Sequence, residues 1–260
     1  MKAGSLAFES LRADGARLVA YARAWEYQKT LVERRARDEI PDTFLFVEHP
    51  PTVTRGRGLQ RAPGESDASR SAPLGPLPAG TEYFEIERGG DLTWHGPGQL
   101  VVYPIVKLDG TGFGADHDVT GYLRRLETVF GAWFAEYGLV TESRENATGI
   151  WVVGAKSGGP SARKIASIGI AVRKWVTYHG IGLNLANEDS GFRAIVPCGF
   201  DPEVMTTLAR ENPAFAAEEW SLEARVRVEY RLAERIARSA PQRIASESVS
   251  VSVHDVGSAN

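Results

Sequence analysis

Residues Arg88–Pro104 read RGGDLTWHGPGQLVVYP. Glycines stand at 89, 90, 96 and 98, and an apolar run follows, Leu100–Val106 (LVVYPIV), with the length and composition of a buried strand. Arg88 to Gly98 itself reads as a glycine-rich turn. Such glycine density lets the main chain approach a ligand and turn N–H groups toward an anion or a carbonyl oxygen. A glycine-rich dozen is more often a plain hairpin turn, but the Arg, Asp, Thr, Trp and His between these glycines exceed what a turn needs. Neither G-x-G-x-x-G nor G-x-x-x-x-G-K-[ST] occurs here, so the nucleotide loops built on those patterns do not apply.

Outward from this segment, short strands cluster between helices. Upstream, Gly15 to Glu39 reads as a helix with Leu18, Ala22, Trp25 and Val32 near one face, ended by Pro41. Thr43–Glu48 is a strand closed by Pro50-Pro51, Arg55 to Gly80 is a polar surface loop, and Tyr83–Glu87 alternates like a strand. Downstream, Asp118 to Tyr137 has helical spacing throughout, with Asp118 placed to cap its start and Gly138 its end. Strands return at Thr148–Val153, Ile165–Val172 and Val176–Leu185, and a final helix spans about Glu218 to Arg238. The stretch from Ser246 to Asn260 reads as a frayed tail in preference to an edge strand. Strands that cluster instead of alternating with helices predict an α+β domain, a mixed sheet flanked by helices. One domain over 1–238 is expected, with variable loops at about 60–80 and 154–163 and a flexible tail at 239–260.

Composition narrows the function classes. The chain has 260 residues, 43% hydrophobic and 24% charged, which excludes disordered and collagen-like chains. A net charge of −3 supplies no global basic field for nucleic acid. No apolar run of ~18 residues or signal-peptide pattern occurs, so neither a membrane association nor export is expected, and the cytoplasm is the expected location. Cys198 is the only cysteine, which rules out an intrachain disulfide and multi-thiolate zinc sites. Lysine is scarce: six of 30 basic residues, at 2, 29, 107, 156, 164 and 174.

Two further segments carry chemistry. In Ala162–Ile170 (ARKIASIGI), Lys164 opens an apolar strand, where desolvation would lower its proton affinity and make it a candidate acid/base. A lysine at a strand edge more often simply snorkels. In Tyr178–Phe200, Pro197-Cys198-Gly199 sets the thiol on a turn. A lone cysteine is more often a small buried hydrophobe, but flanking proline and glycine favour an accessible loop. A nearby ammonium or imidazolium, from Lys164, His95 or His179, would raise its thiolate fraction. A His-His-Cys zinc site has no close ligand spacing to support it and ranks below the nucleophile. A cysteine nucleophile, a lysine or histidine proton manager and glycine-rich backbone form the inventory for acyl transfer through a thioester.

At this point a family resemblance is specific. Arg88–Pro104 resembles the signature R-G-G-x-x-T-aromatic-H-x-x-G-Q of the lipoyl(octanoyl) transferases and matches every fixed position. KIASIG, HGIGLNL and PCG resemble the family's remaining blocks, in order, and the likeness covers about residues 15 to 238. The resemblance implies the α+β fold of biotin and lipoate protein ligases. It implies transfer of an octanoyl group from octanoyl-acyl carrier protein to a lysine of lipoyl domains, in 2-oxoacid dehydrogenase E2 subunits and the glycine cleavage H protein. By the same resemblance Cys198 holds the acyl thioester and Lys164 is its dyad partner. Arg88, Gly89, Gly90, Asp91, Leu92, Thr93, Trp94 and His95, with Ser167, Ile168, Gly169, Gly180, Ile181 and Gly182, line the acyl site. No cofactor and no metal are implied.

Three rivals remain at this level. An ATP-dependent biotin or lipoate ligase of the same fold is faintly echoed by Arg55-Gly56-Arg57-Gly58, but no Lys-Trp-Pro-Asn-Asp motif is present and such enzymes need no cysteine nucleophile. An amidotransferase acting between lipoyl-domain proteins is disfavoured by the Arg88–Gln99 match. A non-catalytic binding domain is disfavoured by the intact Cys, Lys and glycines. Arg55, Arg57 and Arg61 form a candidate basic rim for acidic protein partners.

Overall fold

The computed structural model describes residues 5–58, 75–114, 116–145, 147–154, 162–188, 190–197, 200–216, 219–241 and 249–257. In chain order the elements are β1 (Leu6–Arg12), α1 (Tyr21–Ala36), β2 (Asp42–Val47), β3 (Thr52–Arg55), β4 (Glu82–Glu85), β5 (Leu92–His95) and β6 (Gln99–Ile105). There follow α2 (Val119–Ala135), β7 (Thr141–Glu142), β8 (Gly149–Val153), β9 (Ala162–Arg173) and β10 (Val176–Asn184). The last are α3 (Ser190–Arg193), α4 (Leu208–Glu211), α5 (Pro213–Ala216), α6 (Leu222–Ser239) and β11 (Ser252–Asp255). Eight strands form one sheet in the order β11-β1-β2-β6-β10-β9-β8-β7, parallel across β11, β1 and β2 and antiparallel elsewhere. A second sheet has the order β4-β3-β5.

Period-two alternation along neighbouring strands divides the interior into two cores. Phe44 and Phe46 of β2 and Leu100 and Val102 of β6 join Tyr122, Leu126, Phe130 and Trp133 of α2 and Leu232 and Ile236 of α6. The intervening residues, Leu45 and Val47, Val101 and Tyr103, pack with Tyr21, Ala24, Leu31 and Val32 of α1. The sheet is therefore covered on both faces, which is why its central strands read as continuous apolar runs. The α2 boundaries follow local chemistry: the Asp118 carboxylate accepts the Gly121 N–H at 2.8 Å, and Gly138 takes φ +77° just beyond the last turn. No helix among the described residues is long and apolar enough to cross a membrane.

Several elements differ from the sequence expectations. The supposed glycine-rich turn at Arg88–Gly98 contains strand β5, whose Leu92 and Trp94 alternate with Thr93 and His95 between glycines that disguise the pattern. β1 and β3 had no counterpart in the reading. The tail is corrected at Ser252–Asp255, which pairs in parallel with β1 from Glu9↔Ser252 to Arg12↔Asp255. Its physical cause is the open edge of β1, reinforced by side chains. Tyr27 stacks on His254 at 4.2 Å, and the Asp255 carboxylate accepts the N–H groups of Asp14 and Gly15 at 3.0 and 3.1 Å. The expected loops fall largely at 59–74 and 155–161, outside the described residues, while Ala162 and Arg163 already belong to β9.

Candidate active site

β9 and β10 pair with Gly169 opposite Gly180 and Ser167 opposite Gly182. Minimal side chains at these positions open a floor between the strands. At Gly180 they have to be minimal, because a Cβ would collide with the Val102 carbonyl oxygen. Above that floor, Arg88, Thr93 and His95 join Ser167, Ile168, Gly169, Gly180 and Gly182 around one cleft.

The remaining expected site residues serve the cleft differently or face away from it. Leu92 and Trp94 turn into a separate apolar cluster with Val53, Phe192, Ile195 and Met205, and Ile181 lies in the main core. Their side chains are packing residues, a consequence of strand alternation. Gly89, Gly90 and Asp91 act through backbone. The Gly89 N–H donates to the Ile170 carbonyl at 2.9 Å, and the carbonyls of Gly90 and Asp91 accept from Gly58 and Gly56 at 3.1 and 3.3 Å. Arg88 clamps the loop, donating to the Thr54 carbonyl at 2.7 Å, to its hydroxyl at 2.9 Å and to the Gly89 carbonyl at 3.0 Å.

Tyr21, Gln99, Val101, Tyr103 and His179 complete the lining. Of these, Gln99 was signalled as a fixed position of the signature, and Val101 and Tyr103 by sharing its face of β6. Gln99 orders the site. Its Nε2 donates to the Trp94 carbonyl at 3.1 Å and to Asn184 Oδ1 at 3.0 Å, so its Oε1 faces His95 Nδ1 at 2.6 Å. His95 therefore carries its proton on Nδ1 and keeps a lone pair on Nε2. His49, behind the cleft, is fixed likewise: Nδ1 donates to the Val19 carbonyl at 2.7 Å and Nε2 accepts the Tyr103 hydroxyl at 2.8 Å.

Burial holds all three imidazoles well below the usual histidine range. His95 is lowered to about 3, with His49 nearby adding to the effect. His179 is lowered to about 3 with help from the Arg88 charge, and His49 to about 4. Neither His95 nor His179 is thus an imidazolium at neutral pH, and neither can lower a thiol pKa in the way considered from sequence.

A stability prediction follows from the same shifts. The unfolded histidines titrate near 6.5 and the folded ones near 3 to 4, so the folded state binds fewer protons between those values. Their contribution is fully present above pH 6.5 and is lost as pH falls toward 4. The loss is about 2 kcal/mol per imidazole by pH 5. Urea unfolding between pH 7 and 5 should show this slope, reduced by roughly a third in His49→Gln. A stability independent of pH over that interval would contradict the buried neutral assignment.

Lys164 stands apart from the other described lysines. Lys164 is 3% exposed, whereas the side chains of Lys29, Lys107 and Lys174 are 36%, 19% and 55% exposed. Lys164 does not line the cleft itself. Its ammonium lies over the rings of Phe200 and Trp151, 5.0 and 5.4 Å from their centroids, and against Gly149, whose register partner Ser167 does line the cleft. Cys198 lies outside the described residues, but its neighbours are fixed to this corner. Phe200 donates its N–H to the Pro197 carbonyl at 3.0 Å and meets Trp151 edge-on at 5.2 Å. Thr206 donates its N–H to the Lys164 carbonyl at 3.0 Å. Arg163 forks onto the Glu211 carboxylate at 2.8 and 3.0 Å. Among the described residues no group of three His, Cys, Asp or Glu side chains is arranged to hold a metal.

Residues 20–225, which include the cleft and Lys164, match the lipoyl protein ligase A/B catalytic domain. The chain belongs to that family. Among relatives of this lipoyl ligase A/B domain, an octanoyltransferase of Thermobifida fusca (strain YX) is 39% identical over 227 residues, 87% of this chain and 89% of that protein. An octanoyltransferase of Corynebacterium jeikeium (strain K411) is 42% identical over 197 residues, 74% of this chain and 75% of the relative. Among solved structures, the bipartite lipoate protein ligase of Thermoplasma acidophilum aligns with a TM-score of 0.52 at 12% identity, covering 98% of this chain and 88% of that one. A lipoate-protein ligase A bound with ATP aligns at 0.51 and 14%, covering 99% and 90%. These two likenesses are of fold, and the expected ligase-like α+β architecture is borne out.

Proposed function

We propose that this lipoyl ligase A/B domain transfers an octanoyl group from octanoyl-acyl carrier protein to the acceptor lysine of lipoyl domains, in the cytoplasm, through a thioester on Cys198. The acceptors are the lipoyl domains of 2-oxoacid dehydrogenase E2 subunits and the glycine cleavage H protein. The observation that carries this reading is the buried Lys164 ammonium, held against the segment that flanks Cys198 and beside a cleft floored by glycines. The octanoyltransferase relatives supply the acyl group.

The protons balance over one cycle. The Cys198 thiolate, stabilised by the Lys164 ammonium, attacks the donor thioester carbonyl. The carrier-protein thiolate leaves and takes a proton from Lys164. The acceptor amine, reacting as its free base, then attacks the Cys198 thioester and gives one proton to neutral Lys164. Cys198 departs as thiolate, and the ion pair is restored. Thioester exchange is nearly isoenergetic, and amide formation drives the second step. Activation of the nucleophile, rather than an energy source, is the task left to the protein.

Mass spectrometry after incubation with octanoyl-acyl carrier protein, without ATP, is the direct test. One octanoyl group on the peptide containing Cys198 is expected, and addition of a lipoyl domain should discharge it. Product that requires ATP and passes through no adduct would instead establish the ligase chemistry.

Docking of an acidic carrier protein falls to Arg55, Arg57 and Arg61. Arg55 and Arg57 stand at the end of β3 and just beyond it, while Arg61 lies outside the described residues. Turnover should slow with rising salt, and the triple Arg→Ala variant should be slower at low salt with a flatter response. An unchanged salt response in that variant would remove the rim from the docking surface.

A further inference from the structure

Glu127 is a buried acid that the transfer cycle does not use. It lies on α2 with its side chain 1% exposed, and each carboxylate oxygen has a partner. Oε2 accepts from Arg124 Nη1 at 2.7 Å, and Oε1 accepts the backbone N–H of Gly149 at 3.0 Å. Gly149 opens β8 with φ +140°, in the region that favours glycine. Lys164 occupies the space where a Gly149 side chain would stand: a Cβ there would lie 2.6 Å from Lys164 Cε and 3.4 Å from Nζ, and would collide with the Ala166 carbonyl oxygen. Two residues farther along, the β8–β9 register is irregular. Ile150 pairs with Ala166 and Trp151 pairs with Lys164, leaving Ile165 as the extra residue of a bulge.

These observations converge on one contact. The Lys164 stem crosses the bare backbone of Gly149, and that backbone is held by the Glu127 carboxylate. We infer that Glu127 is a positioning residue for the acyl transfer: through the Gly149 N–H it fixes the wall that directs the Lys164 ammonium between Trp151 and Phe200. This rests on the assignment of Lys164 as the partner of Cys198. A flexible four-carbon stem has many rotamers, and the bare Gly149 backbone leaves open the path that the Lys164 stem takes, which a Cβ would fill. The other charged groups at this corner are Arg124 on the same helix, Arg144 stacked over Trp151 at 4.8 Å, and the Arg163–Glu211 pair next along β9. None of them is bonded to Gly149 in place of Glu127 among the described residues.

The test uses the full-length protein and exploits its single cysteine. Iodoacetamide alkylation of Cys198, followed by mass spectrometry across pH, reports the thiolate fraction; kcat, KM and Tm are measured beside it. Glu127→Ala should raise the apparent thiol pKa by about one unit, seen as a shift of the alkylation profile toward higher pH and a roughly tenfold loss of rate on its acid limb. It should lower kcat by about 10-fold or more with KM for the acyl carrier protein unchanged. Glu127→Gln keeps an acceptor oxygen for the Gly149 N–H and should restore the wild-type profile. A Glu127→Ala profile that overlays the wild type, while Lys164→Ala shifts it, would overturn the inference. If Lys164→Ala itself leaves the profile unmoved, it is the cysteine–lysine assignment that fails. Should Glu127→Ala not fold, Glu127→Asp, whose carboxylate is withdrawn from Gly149, serves in the same assay. A shift toward higher pH supports the inference, and a wild-type profile overturns it.

Discussion

Replacing Lys164 by alanine should lower octanoyl transfer by about 10³-fold without unfolding the protein. The size follows from the two tasks assigned to one group, stabilisation of a thiolate and acceptance of a proton from the incoming amine, with acid–base assistance alone worth ~10²–10⁴. The surroundings explain why no neighbour replaces it. His95 and His179 are neutral by burial, and Arg163 is engaged by Glu211. Lys164→Arg separates the tasks. A guanidinium still supplies positive charge to the thiolate but does not give up its proton in the working range. Acylation should persist in part, while transfer to the lipoyl domain stalls and the octanoyl adduct accumulates. Rapid-quench measurement of adduct and product reads both steps. Wild-type rates for both steps in Lys164→Ala would remove the dyad.

How far the site was legible from sequence depended on whether the relevant physics is local. Strand β6 shows in Leu100–Val106 because it is buried on both faces, and the start of α2 shows because an Asx cap is a contact three residues long. Lys164 stood out because lysine is scarce and this one opens an apolar strand. Strand β5 was hidden because glycines on both sides reproduce the look of a turn, while Leu92 and Trp94 find their apolar partners about 100 residues later, at Phe192 and Ile195. The protonation of the histidines is not legible in sequence for a related reason. Their charge state is set by burial beneath α1 and beside β6, and residue identity carries no record of burial. Glu127 looks like an ordinary surface acid in an amphipathic helix. Only the arrival of Gly149 from β8 makes it a structural anchor.

The largest effect on stability should come from Arg225, which joins the two ends of the chain to the signature loop. It is fully buried on α6. Its Nε donates to Glu229 at 2.6 Å, and Nη2 donates to the carbonyls of Leu11 in β1 and Phe46 in β2, each at 3.2 Å. Nη1 bonds to the Arg17 carbonyl at 2.5 Å and lies 4.0 Å from Glu48. Glu48 in turn accepts the Gly98 N–H at 2.6 Å and the Trp220 indole N–H at 3.2 Å, and pairs with Arg17 at 3.2 Å. Removing the guanidinium strands the Glu229 carboxylate, apart from Arg12 at 3.5 Å, and takes one donor from each of the Arg17, Leu11 and Phe46 carbonyls, of which Leu11 keeps Arg12 Nη1 at 3.0 Å. Arg225→Met preserves most of the stem volume, so the loss reports charge and hydrogen bonding instead of a cavity. About 3–5 kcal/mol is expected, because breaking one side of a buried pair leaves an uncompensated charge. That corresponds to a fall in Tm on the order of 10 °C. Neutralising the partner as well, in Arg225→Met/Glu229→Gln, should recover part of the loss, since the stranded charge is then gone. Octanoyl transfer well below the midpoint should stay near wild type, because Gly98 keeps its bond to Glu48, and Glu48 keeps Arg17. Denaturant titrations of the two singles and the double give the coupling directly. A single variant within 1 kcal/mol of wild type, or strictly additive effects, would mean that the carbonyl cage and not the ion pair holds this end of the sheet.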